Sequence, residues 1–175
     1  MNAMTTFDIA AVALLVGTVA CITDLRTRRI PNYLTFGAAG VALIYHAFAG
    51  GWNGALMAGG GWVVGTLCFL PFFLLGGMGA GDVKLLAALG AWMGPAAAFW
   101  IAIYSSIAGG ALGIGVAIAR GYTRVAFRNV LNLVWHWCLV GPRPLPELTL
   151  ERSSAPRLAY AIPVFVGTVV TLWLQ

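Results

Sequence analysis

The sequence predicts an all-α, polytopic membrane protein of about six transmembrane helices, with one further amphipathic helix on the cytoplasmic face before the last span. Three observations carry that prediction. Of the 175 residues, 61% are hydrophobic and 9% are charged, where a soluble domain carries about 25% charged residues. The apolar residues gather into runs approaching the ~20 that cross a ~30 Å hydrocarbon core. All ten basic residues fall in alternate connections, the positive-inside pattern. The net charge of +5 therefore reports topology, and no nucleic-acid partner is expected.

The whole chain, 1–175, reads as one integral-membrane domain in which 121–157 is a cytoplasmic or interfacial insertion. Span 1 runs roughly from Phe7 to Thr23. No Lys or Arg precedes it and Asp8 sits in its first turn, so it reads as a retained span and not as a cleavable signal. Its N-terminus then faces away from the cytoplasm. A polar, basic loop from Asp24 to Asn32 follows, and its arginines suit lipid headgroups. Span 2 covers about Tyr33 to Ala49, the uncharged turn Gly50 to Gly54 closes it, and span 3 covers about Ala55 to Leu75.

Val83 to Ala119 is a run of 37 almost uncharged positions. One helix of that length would extend ~55 Å, far beyond the bilayer core. Two passes are expected, turning either near Gly94 and Pro95 or near Ser105 to Gly110. The last span covers about Leu158 to Leu174. With the N-terminus outside, the cytoplasmic connections collect Arg26, Arg28, Arg29, Lys84, Arg120, Arg124, Arg128, Arg143, Arg152 and Arg157, and they also hold Asp24 and Asp82.

Within the insertion, Arg124, Arg128, Asn132 and His136 recur at steps of four, while Val130, Leu131, Val134, Trp137 and Cys138 take the other side. That pattern describes an amphipathic helix lying on the membrane face. His136 reads as one of its polar residues rather than as a catalytic base. Gly141 to Pro146 reads as an extended, Pro-rich connector. Gly61 with Gly65, and Gly109 with Gly113, are small residues four apart that let helices approach closely in lipid. Cys21, Cys68 and Cys138 form no CxxC pair, so neither a zinc site nor a disulfide is expected, and no other cofactor is called for.

The chemistry centres on the glycine-rich stretch Gly76, Gly77, Met78, Gly79, Ala80 and Gly81, which leads into Asp82, Val83, Lys84 and Leu85. An ionisable residue at a membrane helix is a functional-site hypothesis by default. Of the five acidic residues, Asp8 lies on the opposite side, and Glu147 and Glu151 sit among the arginines of the insertion. Asp24 and Asp82 remain. Two carboxylates brought together share a proton near neutral pH, and that state suits hydrolysis. Bland readings stand beside this one: Asp82 as a helix cap, Asp24 paired with Arg28, and Lys84 as a positive-inside anchor on another face of its helix. A small transporter or channel subunit passing protons or cations through Asp24 and Asp82 is the alternative of another class; it predicts carboxylates near mid-bilayer.

Two motifs here resemble those of the small prepilin peptidases, type IV leader peptidases of the GxGD aspartic class. One is Asp24 followed by Ile30, Pro31, Asn32, Leu34 and Thr35; the other is Gly79, Ala80, Gly81, Asp82, Val83, Lys84 and Leu85. The resemblance implies an aspartic endopeptidase in which Asp24 and Asp82 are the catalytic pair. It implies that Gly79 and Gly81 give room for substrate or for the first aspartate's loop, with Lys84, Ile30, Pro31 and Asn32 as motif support. The substrate would be a prepilin leader peptide, cut at the cytoplasmic side of the bacterial cytoplasmic (inner) membrane. A short chain without a CxxC region resembles the branch serving tight-adherence (Flp-type) pili and argues against N-methyltransferase activity. Relatives often open the last span with Pro-Tyr, whereas here Ala159 precedes Tyr160. The Tyr-Asp and Pro-Ala-Leu motifs of presenilin-type proteases are absent from the sequence.

Overall fold

Gly51 breaks the longest helix of the chain. In a computed structural model, which describes residues 3–141 and 159–174, six helices follow one another. They are α1 (Ala3–Thr27), α2 (Asn32–Leu74), α3 (Ala80–Met93), α4 (Pro95–Ala119), α5 (Thr123–Val140) and α6 (Ala161–Leu174). A straight helix of α2's 43 residues would reach ~65 Å. Gly51, at φ 59° and ψ −141°, is non-helical and splits it into arms at residues 32–50 and 52–74. Gly54 packs on the carbonyl of His46 across that break, where a Cβ would not fit. With α2 counted as two arms, α1, α3, α4 and α6 complete the six expected rods, and α5 is the amphipathic helix.

Helices α1, α2 and α4 are long and apolar enough to cross a membrane, and α6 is a shorter apolar helix. Their outward faces carry exposed Leu15, Phe48, Ile107 and Trp173, as lipid-facing surfaces do. The 14-residue α3 is the centre of the bundle. Asp82, Val83 and every residue from Leu85 to Trp92 are buried. A helix apolar on all sides is one enclosed by others, and α3 touches α1, α2, α4 and α6. The second arm of α2 meets it backbone to backbone: Gly61 lies on Gly90, and Gly65 on Leu86 and Ala87. The first of the two glycine pairs thus lets the second arm of α2 and α3 approach backbone to backbone.

The turn left open within 83–119 falls at Gly94, whose φ of +86° suits glycine, and Pro95 occupies the first turn of α4. Ser105 and Ser106 do not break α4, because their hydroxyls bond back to the carbonyls of Ile101 and Ala102. One boundary moves. Helix α1 runs on to Thr27 instead of ending at Thr23. The hydroxyls of Thr23 and Thr27 bond to carbonyls of the preceding turn, so Asp24 belongs to the last turn of a helix and not to a loop. The described part of the last span begins at Ala161. The expected start at Leu158 and the Pro-rich connector beyond Gly141 lie outside the described residues.

Candidate active site

Asp24 and Asp82 are brought to the same place by two short connections. After Asp24, α1 ends as Arg28 enters the left-handed region at φ 54°, with its backbone N–H donating to the Asp24 carbonyl at 2.9 Å. The chain then buries Ile30 and restarts as α2 with Pro31 at the N-cap. Thr35, 2% exposed, bonds the carbonyl of Asn32 through its hydroxyl, which holds that first turn.

The second connection opens at the end of α2. Gly76, at φ +75°, follows the C-cap Leu75; Gly76 N–H donates to Phe73 O and Gly77 N–H to Phe72 O, both at 2.9 Å. This is a Schellman stop, for which glycine is the favoured residue. Gly79 is the N-cap of α3, and the Asp82 carboxylate accepts the Gly79 backbone N–H. The capping role is therefore real, and it holds the carboxylate without excluding further chemistry. A Cβ on Gly81 would come within 3.2 Å of Ile30 Cβ, and one on Gly79 within 3.2 Å of Asp82 Oδ2. The glycines let the loop after Asp24 lie directly on the start of α3.

Asp24 is 7% exposed and Asp82 9%, and the two carboxylates lie within electrostatic reach of one another. Asp24 Oδ2 accepts the backbone N–H of Ala161 at 3.3 Å, at the N-terminus of α6, where the helix dipole favours an anion. Cys21 Sγ donates to Ala161 O at 3.3 Å, so the last two turns of α1 are latched to α6 at two points. On the other flank, Lys84 Nζ donates to Asn32 Oδ1 at 3.0 Å and stands 5.4 Å from the ring centroid of Phe36. Beside it opens an apolar groove of about 280 Å³ between the arms of α2 and α3, with Thr35, Phe36, Trp62 and Val83 among its walls.

Tyr160, the residue before α6, closes the site. Its ring meets Phe69 edge-on at 5.9 Å and lies against Gly109, where a Cβ would come within 2.7 Å. Its hydroxyl donates to Ser105 O at 3.4 Å, and it is within electrostatic reach of Asp82. These contacts fall midway along α4, so residues 110–119 continue past the site for ~15 Å.

Every site residue expected from the sequence, namely Asp24, Asp82, Gly79, Gly81, Lys84, Ile30, Pro31 and Asn32, falls in this one region. His46 lies at the far end of the bundle, its Nε2 3.0 Å from Trp92 O, and His136 belongs to α5. Tyr160, the Ala161 N–H and Cys21 were not expected at the site. One signal is position: Tyr160 and Ala161 open an apolar run that starts on the same side as Asp24.

A helical membrane bundle that gathers two buried, interacting carboxylates from separate helices is the class this fold and site define. The chain matches the type IV leader peptidase family over residues 11–114, which takes in both aspartates and both motifs, and it belongs to that family. A prepilin leader peptidase/N-methyltransferase of Aeromonas hydrophila is 34% identical over 105 residues, covering 57% of this chain and 36% of that protein. One of Aeromonas salmonicida is 35% identical over 106 residues, with the same coverage. The chain thus matches little more than a third of the length of these curated relatives. No solved structure matches it.

Proposed function

We propose that this chain is a membrane aspartic endopeptidase that removes the leader peptide of type IV-like prepilins, of the Flp (tight-adherence) kind, at the cytoplasmic face of the bacterial inner membrane. The observation that carries the proposal is the burial of Asp24 and Asp82 in mutual electrostatic reach, on α1 and α3. Family membership supports the leader-peptide substrate. The gathering of Arg26, Arg28, Arg29 and Lys84 near the aspartates supports the cytoplasmic side.

In this reading Asp24 and Asp82 hold one proton between them. The ionised carboxylate takes a proton from a water as its oxygen attacks the scissile carbonyl carbon. The protonated carboxyl gives its proton to the carbonyl oxygen. Collapse of the tetrahedral intermediate breaks the C–N bond: the leaving nitrogen takes the pair's proton, a hydroxyl of the intermediate gives its proton to the pair as the acid forms, and the pair again holds one. The Ala161 N–H steadies the charge on Asp24, and the Gly79 N–H does so on Asp82. No N-methyl transfer is assigned to these residues, whose three cysteines form no CxxC pair.

The test is co-expression with a Flp-type prepilin and, separately, with a longer type IV prepilin, with the products read by mass spectrometry. The proposal expects leader removal from the Flp-type substrate and no added methyl group. An uncut Flp-type prepilin beside well-inserted enzyme would overturn it.

A further inference from the structure

Gly40 and Gly59, one on each arm of α2, face open space: a Cβ on either would meet no atom within 4 Å. Glycine inside a helix costs about 1 kcal/mol against alanine. Gly61 and Gly65, on the same arm as Gly59, are explained by the backbone of α3 that lies on them. Gly40 and Gly59 instead line an apolar groove of about 280 Å³ between the two arms, with buried Ala58 and Ala91 at its bottom. It shares Phe36 and Trp62 with the groove beside Lys84, so the two run together along α3. Ala80, Ala87 and Ala91 line that run, which is ~16 Å long at 1.5 Å per residue. The rim residues Phe36, Leu43, Trp62 and Phe73 are exposed, so the groove opens sideways, toward lipid. Thr35 and Thr66 in its walls bond their hydroxyls to carbonyls of their own helix, which leaves Lys84 at one end as the only charged wall residue.

We propose that this groove seats an apolar segment of the substrate, held as a helix along α3 between the arms of α2. The inference rests on the prepilin reading above and adds the place where the substrate is gripped. An acyl chain would fit the same walls, but it bends around a methyl group and has no use for glycines. A rigid helix does need them, as α3 does at Gly61 and Gly65. The groove also ends where the chemistry is, because Ala80 and Lys84 belong to the first turns of α3, as Asp82 does. Asp82 is two residues from each of them and therefore on the far side of that helix. A chain leaving the groove over the N-cap Gly79 crosses the ~10 Å width of one helix, about three extended residues at ~3.3 Å each, to reach the aspartates. The bond to be cut thus stands about three residues from the end of the docked helix.

Cleavage of a Flp-type prepilin in membranes tests it. The double variant Gly40→Leu/Gly59→Leu puts side chains into the groove at two positions open within 4 Å. It is expected to raise KM on the order of tenfold and to hold kcat within about twofold, because a docked helix aids binding before and during the chemistry alike. Gly110→Leu, equally open but on α4, is expected to leave both constants unchanged. A second measurement uses the full chain carrying Asp82→Asn, so that substrate stays uncut. With Leu43→p-benzoylphenylalanine it is expected to form a prepilin adduct on irradiation, and with Ile107→p-benzoylphenylalanine, exposed on α4, to form none. Wild-type kinetics in the double glycine variant, a Leu43 adduct with lipid alone or with a second copy, or prepilin adducts equal at Leu43 and Ile107 would each overturn the proposal. If the double variant fails to insert, the Leu43 adduct decides. A wild type that leaves the prepilin uncut removes the reading beneath the inference, whereas a wild type that cuts it while Leu43 gives no prepilin adduct removes the groove alone.

Discussion

Lys84 and Asn32 join the two halves of the site: the Lys84 ammonium donates to the Asn32 side-chain carbonyl at 3.0 Å. Asn32 opens the helix that follows the Asp24 loop, and Lys84 lies two residues beyond Asp82. The bond therefore fixes the Ile-Pro-Asn motif against the Gly-x-Gly-Asp motif. At an exposed position such a charge-assisted bond is worth about 1 kcal/mol.

Lys84→Met and Asn32→Ala are each expected to slow leader cleavage about fivefold, matching that energy. The double variant should be no slower than the worse single one, since both remove the same contact. Cleavage rates of the three proteins check this, and fully additive losses would show that the residues act apart.

Gly81 and Gly110 make a matched pair. Gly81→Ala forces its Cβ to 3.2 Å from Ile30 Cβ, an overpacking expected to cost about 1–3 kcal/mol and to shift the Asp24 loop. Gly110→Ala meets nothing within 4 Å and should stabilise α4 by up to about 1 kcal/mol through helix propensity. Thermal unfolding in detergent checks both signs.

Much of this arrangement was legible in the sequence, and particular residues show where legibility ended. Asp24 and Asp82 stood out because carboxylates are costly beside a membrane and because motif spacing placed both on one side. Gly51 and Gly76 could be read as breaks, since few residues other than glycine tolerate their φ. The turn at Gly94 could not be told from one at Ser105 to Gly110 because serine either breaks a helix or bonds back into it, and only packing decides. Lys84 was assigned to another face by its offset from Asp82. That offset was sound, but it said nothing of Asn32, which arrives from 52 residues away. The Ala161 N–H is a backbone group 137 residues from Asp24, and no local pattern announces it.

Tyr160 separates shape from hydrogen bonding. Tyr160→Phe gives up the hydroxyl's long contact to Ser105 O, 3.4 Å, and its hydrogen bond with the Ser106 side chain, and is expected to cost about 1 kcal/mol. Tyr160→Ala removes the ring from Phe69 and Gly109 and should cost about 3 kcal/mol, with much of the cleavage activity lost beside the loosened aspartates. Unfolding curves and cleavage rates measured together distinguish the two effects.

Cys21 tests the latch between α1 and α6. Cys21→Ser keeps a donor to Ala161 O and should leave stability within about 0.5 kcal/mol of the parent, whereas Cys21→Val removes the donor and adds bulk beside a tight contact. The valine variant is expected to unfold at lower temperature and to cleave more slowly, because Asp24 loses the alignment of its Ala161 partner.

The central claim is that Asp24 and Asp82 act as one catalytic unit, and the most direct measurement is leader cleavage by Asp24→Asn, Asp82→Asn and the double variant in membranes. Asparagine still accepts the Ala161 or Gly79 N–H but cannot ionise, so the fold is kept while proton transfer is removed. Each single variant is expected to lose leader removal, and the double variant to fall no lower, since groups acting together are not additive. A well-inserted single variant that still removes the leader would contradict the account and return that aspartate to the role of a helix-end partner.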